Sequence, residues 1–175
     1  YLTLLAFSRV QAAFPEARLS MVGEGPLREP CVRLAAALGL HASVSFPGVY
    51  PHRAVVGAML RARAFVQHSV RAFDGDSEGT PVGILEAAAS GLPVVSTRHA
   101  GIKEAVIHEH TGILVDEGDW QAMAAGMLRL AQDAALAGRM GSAGRNHVAA
   151  NYSMPARITS LWDIIREAIT DRRNT

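Results

Sequence analysis

The sequence predicts an α/β fold: a Rossmann-like, mostly parallel sheet with helices on both faces. Three observations carry that expectation. Short β-like runs alternate with helical stretches along nearly all of the 175 residues. The candidate strands are apolar throughout, as strands buried on both faces are. Glycine and proline punctuate the junctions between runs. Strict β–α alternation belongs to parallel sheets joined by crossover helices, and such sheets bind ligands at the carboxyl ends of their strands.

Each element can be justified in turn. Leu2, Ala6, Val10, Ala13 and Phe14 recur at helical spacing, so the chain opens inside a helix. That helix ends before Pro15, because a residue preceding proline is pushed out of the α region. Residues 19–22 read as a buried strand, ended by Gly23, Glu24, Gly25 and Pro26. A helix over 27–38 stops at Gly39. Residues 44–46 are a second strand running into a Pro47–Gly48 turn, followed by a helix over 53–63 and a strand over 64–67. A polar loop covers 74–79. Thr80 then caps a helix with Pro81 in its first position, running to Ser90 and stopping at Gly91. A strand over 93–97, a short helix over 102–108 and a strand over 113–115 come next. Asp119 caps a helix carrying Met123, Met127, Leu128 and Leu130, and a further helix covers 134–150. In the last helix Ile158, Leu161, Trp162, Ile165 and Ile169 form one apolar stripe, with Ser153 as cap and Pro155 in the first turn.

Composition sets the class. A chain of 18.6 kDa with 49% hydrophobic and 19% charged residues is one domain of ordinary size with ample core material. Disorder, collagen-like repeats and coiled coil are excluded. No uninterrupted apolar run reaches the ~18 residues of a membrane span. A formal charge of +1 gives no general attraction to nucleic acid or anionic lipid, and no nucleic-acid partner is expected. Cys31 is the only cysteine, which excludes an internal disulfide and a Cys-rich zinc site; a small buried hydrophobe is its expected role. The chain begins at Tyr1 with no signal-peptide pattern, and reads as a piece of a longer protein.

The informative stretch runs from Glu78 through Gly79, Thr80, Pro81 and Val82 to Glu86, then on to Gly91, Pro93 and Val94. With Thr80 as cap, Glu86 is the sixth helical residue, about one and a half turns in. Glu78 lies in the loop ahead. The free N–H groups of a helix start, with their partial positive charge, make an anion site. A phosphate there would have one carboxylate on each side. Carboxylates do not bind phosphate, but they accept hydrogen bonds from vicinal hydroxyls such as those of a ribose or hexose. A phosphate flanked by two polyols is a nucleotide sugar.

These residues resemble the carboxyl-terminal lobe of the retaining nucleotide-sugar glycosyltransferases of the glycosyl transferases group 1 family (family 4), whose two lobes form the GT-B architecture. The matching positions are Glu78, Gly79 and Pro81, then Glu86, Ala87, Ala89, Gly91, Pro93, Val94 and Val95. The run from Val22 to Pro26, the Phe46, Pro47, Gly48 turn, Gly101 with Glu104, and Gly112 through Val115 extend the likeness over nearly the whole chain. The resemblance implies that Glu86 holds the ribose diol. Glu78, its catalytic-site residue, would contact hydroxyls of the donor sugar. Main-chain N–H groups of Gly79, Thr80 and Val82, with Pro81 between them, would face sugar and diphosphate. Gly23 and Gly25 would admit the nucleotide closely, Phe46 and Gly48 would lie near the base, and Gly101 would complete the donor site.

On this likeness residues 1–152 are a nucleotide-sugar-binding lobe whose amino-terminal strand is missing. Residues 153–175 are an amphipathic helix that would cross to the absent amino-terminal lobe. The family's upstream strand and its phosphate-neutralising cations would precede Tyr1, and Met154 stands where the family often has Trp. The expected partners are a nucleotide-sugar donor and, through the absent lobe, a glycan or lipid acceptor. Self-association through the last helix is also expected. No cofactor or metal is implied, the nucleotide sugar being substrate. The resemblance places the protein in the cytoplasm, with peripheral association at the inner face of the membrane as a further expectation.

The whole protein is then expected to be a hexosyltransferase-type enzyme of polysaccharide or glycolipid synthesis, inactive as this fragment alone. A nucleotide-sugar epimerase of the same architecture and a non-catalytic nucleotide-binding module are the alternatives. Asp74, Gly75 and Asp76 echo the Asp-x-Asp of metal-dependent transferases of another fold, but the triplet is common in acidic loops. His108, Glu109 and His110 read as a surface turn rather than a metal cluster. His68 and His99 fall at strand ends and are expected to line the ligand edge. Glu78 and Glu86 as a glycosidase pair are rejected, since a helix-wall carboxylate across the phosphate site is poorly placed for attack on the same bond.

Overall fold

The computed structural model describes every residue except 72–74, 76, 78, 174 and 175, and of 170–173 the backbone alone. Among the described residues five strands and eight helices follow in the expected order, alternating up to β5: α1 (Leu2–Ala13), β1 (Leu19–Val22), α2 (Arg28–Ala37), β2 (Val44–Gly48), α3 (His52–Met59), β3 (Phe65–Gln67), α4 (Val82–Ala89), β4 (Val94–Thr97), α5 (Ile102–Ala105), β5 (Gly112–Val115), α6 (Trp120–Gln132), α7 (Ala134–Asn151) and α8 (Met154–Arg173). All strand pairings are parallel. They fall into two pieces rather than one continuous sheet: β1 with β2, and β3, β4 and β5 in that order.

Alternation along the central strands explains the layers. On β4, Val95 faces a core made with α1, α2, α6 and α7, while Val94 faces a second core containing Met59, Ile84, Ala87, Ile102 and Ala105. On β5, Ile113 and Val115 face the first core and Leu114 the second. Helices therefore cover both faces. Each of these side chains, sealed from water, contributes roughly 1.5–3 kcal/mol. Cys31 is buried in the first core, as expected of a small hydrophobe.

Several boundaries differ from expectation for physical reasons. Pro47 lies inside β2, not in a turn after it, because the strand continues past a register shift that pairs Val22 with Gly48. The α3 helix stops at Met59, short of Arg63, and α5 is a single turn ended by extended Val106 instead of reaching His108. The α4 N-cap is Pro81, not Thr80: its ψ of 127 is extended, so helical geometry starts one residue later. Asp119 caps α6 as expected, accepting from Ala122 N–H at 2.8 Å. Asp133 does the same for α7, accepting from Leu136 N–H at 2.8 Å.

The α8 helix docks chiefly on α7 and leaves Ile158, Leu161, Trp162 and Ile169 exposed, Trp162 by 56%. Among the described residues no helix is long and apolar enough to cross a membrane.

Candidate functional site

The carboxyl ends of β3, β4 and β5 and the start of α4 meet on one edge. The α4 start is where the sequence placed an anion site. Among the described residues no side chain caps it: the N-cap is Pro81, whose side chain accepts nothing, so it offers no cap to the first-turn N–H groups of Val82 and Gly83. Gly83 lets that turn lie on β3, since an added Cβ would come within 3.3 Å of the Phe65 ring. Glu86 is the fifth helical residue, not the sixth, one turn behind the α4 start. Its side chain is 31% exposed and faces His52 at the start of α3, with Nδ1 3.4 Å from the carboxylate.

Gly79 and Thr80 lead into α4 and are fixed from below. Gly101 N–H donates to the Gly79 carbonyl at 3.2 Å, and a Cβ on Gly101 would collide with Thr80 Oγ1. Gly101 thus lets the β4–α5 turn approach the segment closely, which gives it a packing role. Glu78 and the Asp74–Asp76 pair of the acidic triplet lie outside the described residues. Among the described residues no group of three metal-ligating side chains converges. Glu109, one member of the His108–His110 turn, is held by Arg129 through two hydrogen bonds of 2.7 and 2.9 Å, which lower its pKa.

At the ends of β1 and β2, Gly23 N–H donates to the Gly48 carbonyl at 2.9 Å. Gly48 has φ +77, a left-handed conformation natural to glycine, and Glu24 sits against it. Arg28 pairs with Glu24 at 3.4 Å and donates to the Phe46 carbonyl at 3.0 Å. The Phe46 side chain packs partly against the core, and nothing within 4 Å meets a Cβ built on Gly25. The sites named from the sequence therefore divide into two groups: Gly79, Thr80, Pro81, Val82, Glu86 and Gly101 around the α4 start, and Gly23, Gly25, Phe46 and Gly48 at the β1–β2 end.

Sequence reasoning missed a chain of polar groups around the buried His99 beside the first group. His99 Nδ1 lies 2.6 Å from Glu117 Oε1, and its Nε2 lies 3.1 Å from Ser77 Oγ. Glu117 Oε2 accepts from Arg71 N–H at 2.8 Å. The His99 bond first, and then the Arg71 amide, hold the Glu117 carboxyl below the usual carboxylate range. His68 Nε2 accepts from Gly118 N–H at 2.9 Å, and burial chiefly pushes its pKa down. The histidines at strand ends were the one available signal. Glu117 had none, because its partner lies 18 residues away in sequence.

An α/β fold of parallel sheets with helices on both faces, matching GT-B glycosyltransferase structures, defines the class. The family model described as glycosyl transferases group 1 matches residues 2–147, and the chain belongs to that family. It is 41% identical over 113 residues to the amylovoran biosynthesis glycosyltransferase of Erwinia amylovora, covering 65% of this chain and 28% of that protein. It is 31% identical over 161 residues to a GDP-mannose-dependent phosphatidylinositol monomannoside mannosyltransferase of Mycolicibacterium smegmatis, covering 91% of this chain and 42% of that one. Among solved structures, sucrose-phosphate synthase of Thermosynechococcus elongatus superposes with a TM-score of 0.78 at 26% identity, over 97% of this chain and 42% of that one. The chain thus spans less than half the length of each of these relatives.

Proposed function

We propose that this chain is the donor-binding, carboxyl-terminal lobe of a retaining glycosyltransferase that moves a sugar from a nucleoside diphosphate to a glycan or lipid acceptor. The observation that carries the reading is the start of α4: uncapped N–H groups at a strand-end edge, with half-buried Glu86 one turn behind. The N–H groups and the helix dipole take the diphosphate. Glu86 accepts from the ribose diol, and Glu78 addresses the sugar. The names of the relatives, an amylovoran biosynthesis glycosyltransferase and a phosphatidylinositol monomannoside mannosyltransferase, support polysaccharide or glycolipid synthesis.

The chemistry asked of this lobe is placement and electrostatic support. Helix N–H groups oriented before reaction stabilise charge growing on the departing diphosphate. The diphosphate itself helps to remove the acceptor proton as the acceptor attacks from the leaving-group face. No cofactor or metal takes part. The acceptor binds a separate amino-terminal lobe, so residues 1–175 alone bind donor without transferring it. Residues 1–152 form the lobe proper, and the exposed stripe of α8 within 153–175 packs on the other lobe or, uncovered, promotes self-association. The protein works in the cytoplasm, peripherally at the inner face of the membrane.

Calorimetry with UDP, GDP, ADP and their sugar conjugates tests this reading. Glu86→Gln is expected to weaken bare nucleotide and conjugate alike, by roughly 1.5–3 kcal/mol. Glu78→Gln should leave bare nucleotide nearly unchanged and weaken only the conjugate. Unchanged affinity for every nucleotide in Glu86→Gln overturns the ribose assignment.

A further inference from the structure

We propose that His99 and Glu117 are positioning residues of the donor site, which hold the described ends of the 71–77 segment, the Arg71 amide and the Ser77 hydroxyl, and so help to place Gly79, Thr80 and the α4 start. The inference deepens the nucleotide-sugar reading of that site and rests on it.

The local structure is built to bury an imidazole. Pairing of β4 with β5 is carried past Thr97 by Arg98 N–H, which donates to the Val115 carbonyl at 2.8 Å. The chain then turns sharply. Ala100 takes φ 40, a conformation that costs a residue with a Cβ about 1–2 kcal/mol, and Ile102 N–H closes the turn on the His99 carbonyl at 3.0 Å. Arg98 and Ala100 are exposed, yet His99 between them is 3% exposed. A buried ring needs partners for both nitrogens, and it has them. Glu117 accepts at 2.6 Å, which places the proton on Nδ1. Its Nε2 meets the Ser77 hydroxyl, 3.1 Å away.

The second Glu117 oxygen turns this pair into a clamp. It accepts the Arg71 amide, so one carboxylate reaches the beginning of the segment directly and its end through His99. Two further bonds tie the flanks to the same strand end. Thr97 Oγ1 donates to the Ser69 carbonyl at 2.6 Å, and Gly101 N–H reaches the Gly79 carbonyl. Positions 69, 71, 77 and 79 are thereby anchored to the connections that follow β4 and β5. His99 is closed off from solvent and acts on the donor through this segment, not by touching it.

Hydrogen exchange and kinetics on the intact natural protein test the clamp. In His99→Ala, amides across 69–80 are expected to exchange at least about tenfold faster, while those of β4 and β5 keep their protection. Ser77→Ala, which removes only a hydroxyl and leaves the His99–Glu117 pair intact, should move the same amides less. His99→Gln, whose amide still reaches one partner, should recover part of the protection. With a nucleotide sugar the parent turns over, kcat in His99→Ala should fall by about a hundredfold, the cost of a reacting group misplaced by about 1 Å. Affinity for bare nucleoside diphosphate should change by no more than about threefold.

Exchange across 69–80 equal to the parent in both alanine variants overturns the proposal. So does acceleration spread evenly through β4 and β5, or an unchanged kcat in His99→Ala. If the parent binds none of the UDP, GDP or ADP sugars, the donor reading and the positioning role fail together. Accelerated exchange confined to 69–80 would then show that the clamp itself is real.

Discussion

The two strand-end regions of this molecule are built by opposite means. At the ends of β1 and β2 the surface is shaped by backbone: Gly23 and Gly48 bring two turns together, and the polar side chains beside them, Glu24 and Arg28, stand in solvent. At the ends of β3, β4 and β5 the surface is held by buried side chains: Ser96 and Thr97 donate to carbonyls of the β3 end, and His99 is locked between Glu117 and Ser77. The first region offers open main chain for a ligand to approach. The second ties Ser69, Arg71, Ser77 and Gly79 to the residues that end or follow β4 and β5. A site assembled from both would take broad shape from one and exact placement from the other.

Glycine substitutions compare the two sheets most strongly. At Gly112 in β5 an added Cβ would meet the Val94 carbonyl of β4, and neither strand can yield without parting from the other. Gly112→Ala is expected to cost about 3 kcal/mol. At Gly48 the added Cβ would lie 2.8 Å from Glu24 Oε1, the end of a flexible side chain that can swing away. There the left-handed backbone dominates, at about 1–2 kcal/mol. Thermal melts of the two variants check the order, and equal losses would erase the mechanical difference between the two sheets.

Acid should act on the buried end at a smaller scale. The folded His68 pKa is lowered, so the unfolded chain binds the proton first, and stability falls as pH drops below about 6.5. Glu117, also lowered, contributes stability above the ordinary carboxylate range that is lost as pH falls through its folded value. Melting temperature against pH should therefore decline in two stages. His68→Gln should flatten the upper stage and Glu117→Gln the lower. A profile identical in both variants would remove the electrostatic half of the contrast. The smallest effect belongs to Arg28→Ala at the open end, which should cost under about 1 kcal/mol, as exposed ion pairs do; a larger loss in the same melts would show that region to be side-chain-held after all.

Legibility in the sequence followed the same division. β4 and β5 announced themselves as apolar runs, and the Asp119 cap of α6 was readable because a cap is a local bond between residues three apart. The uncapped start of α4 was nearly readable. It was misplaced by one residue because proline is tolerated both at a cap and at the first helical position. The break between β2 and β3 into separate sheets left no trace in either strand's composition. Glu117 and Ser77 were invisible for a deeper reason. A buried hydrogen bond to His99 depends on which loops meet in space, and no periodicity encodes that meeting.

One packing contact far from this edge bears on it through leverage. A Cβ on Gly141 of α7 would collide with the carbonyl of Gly91, just past the last turn of α4. The α4 helix is a stiff rod of eight residues, about 12 Å long, pinned at that far end and aiming its free amides at the strand edge from the near one. Any bulk added at position 141 pushes on the tail of the rod, and its head must swing in answer. The bearing of the α4 start is thus set from behind, by a close crossing of two main chains.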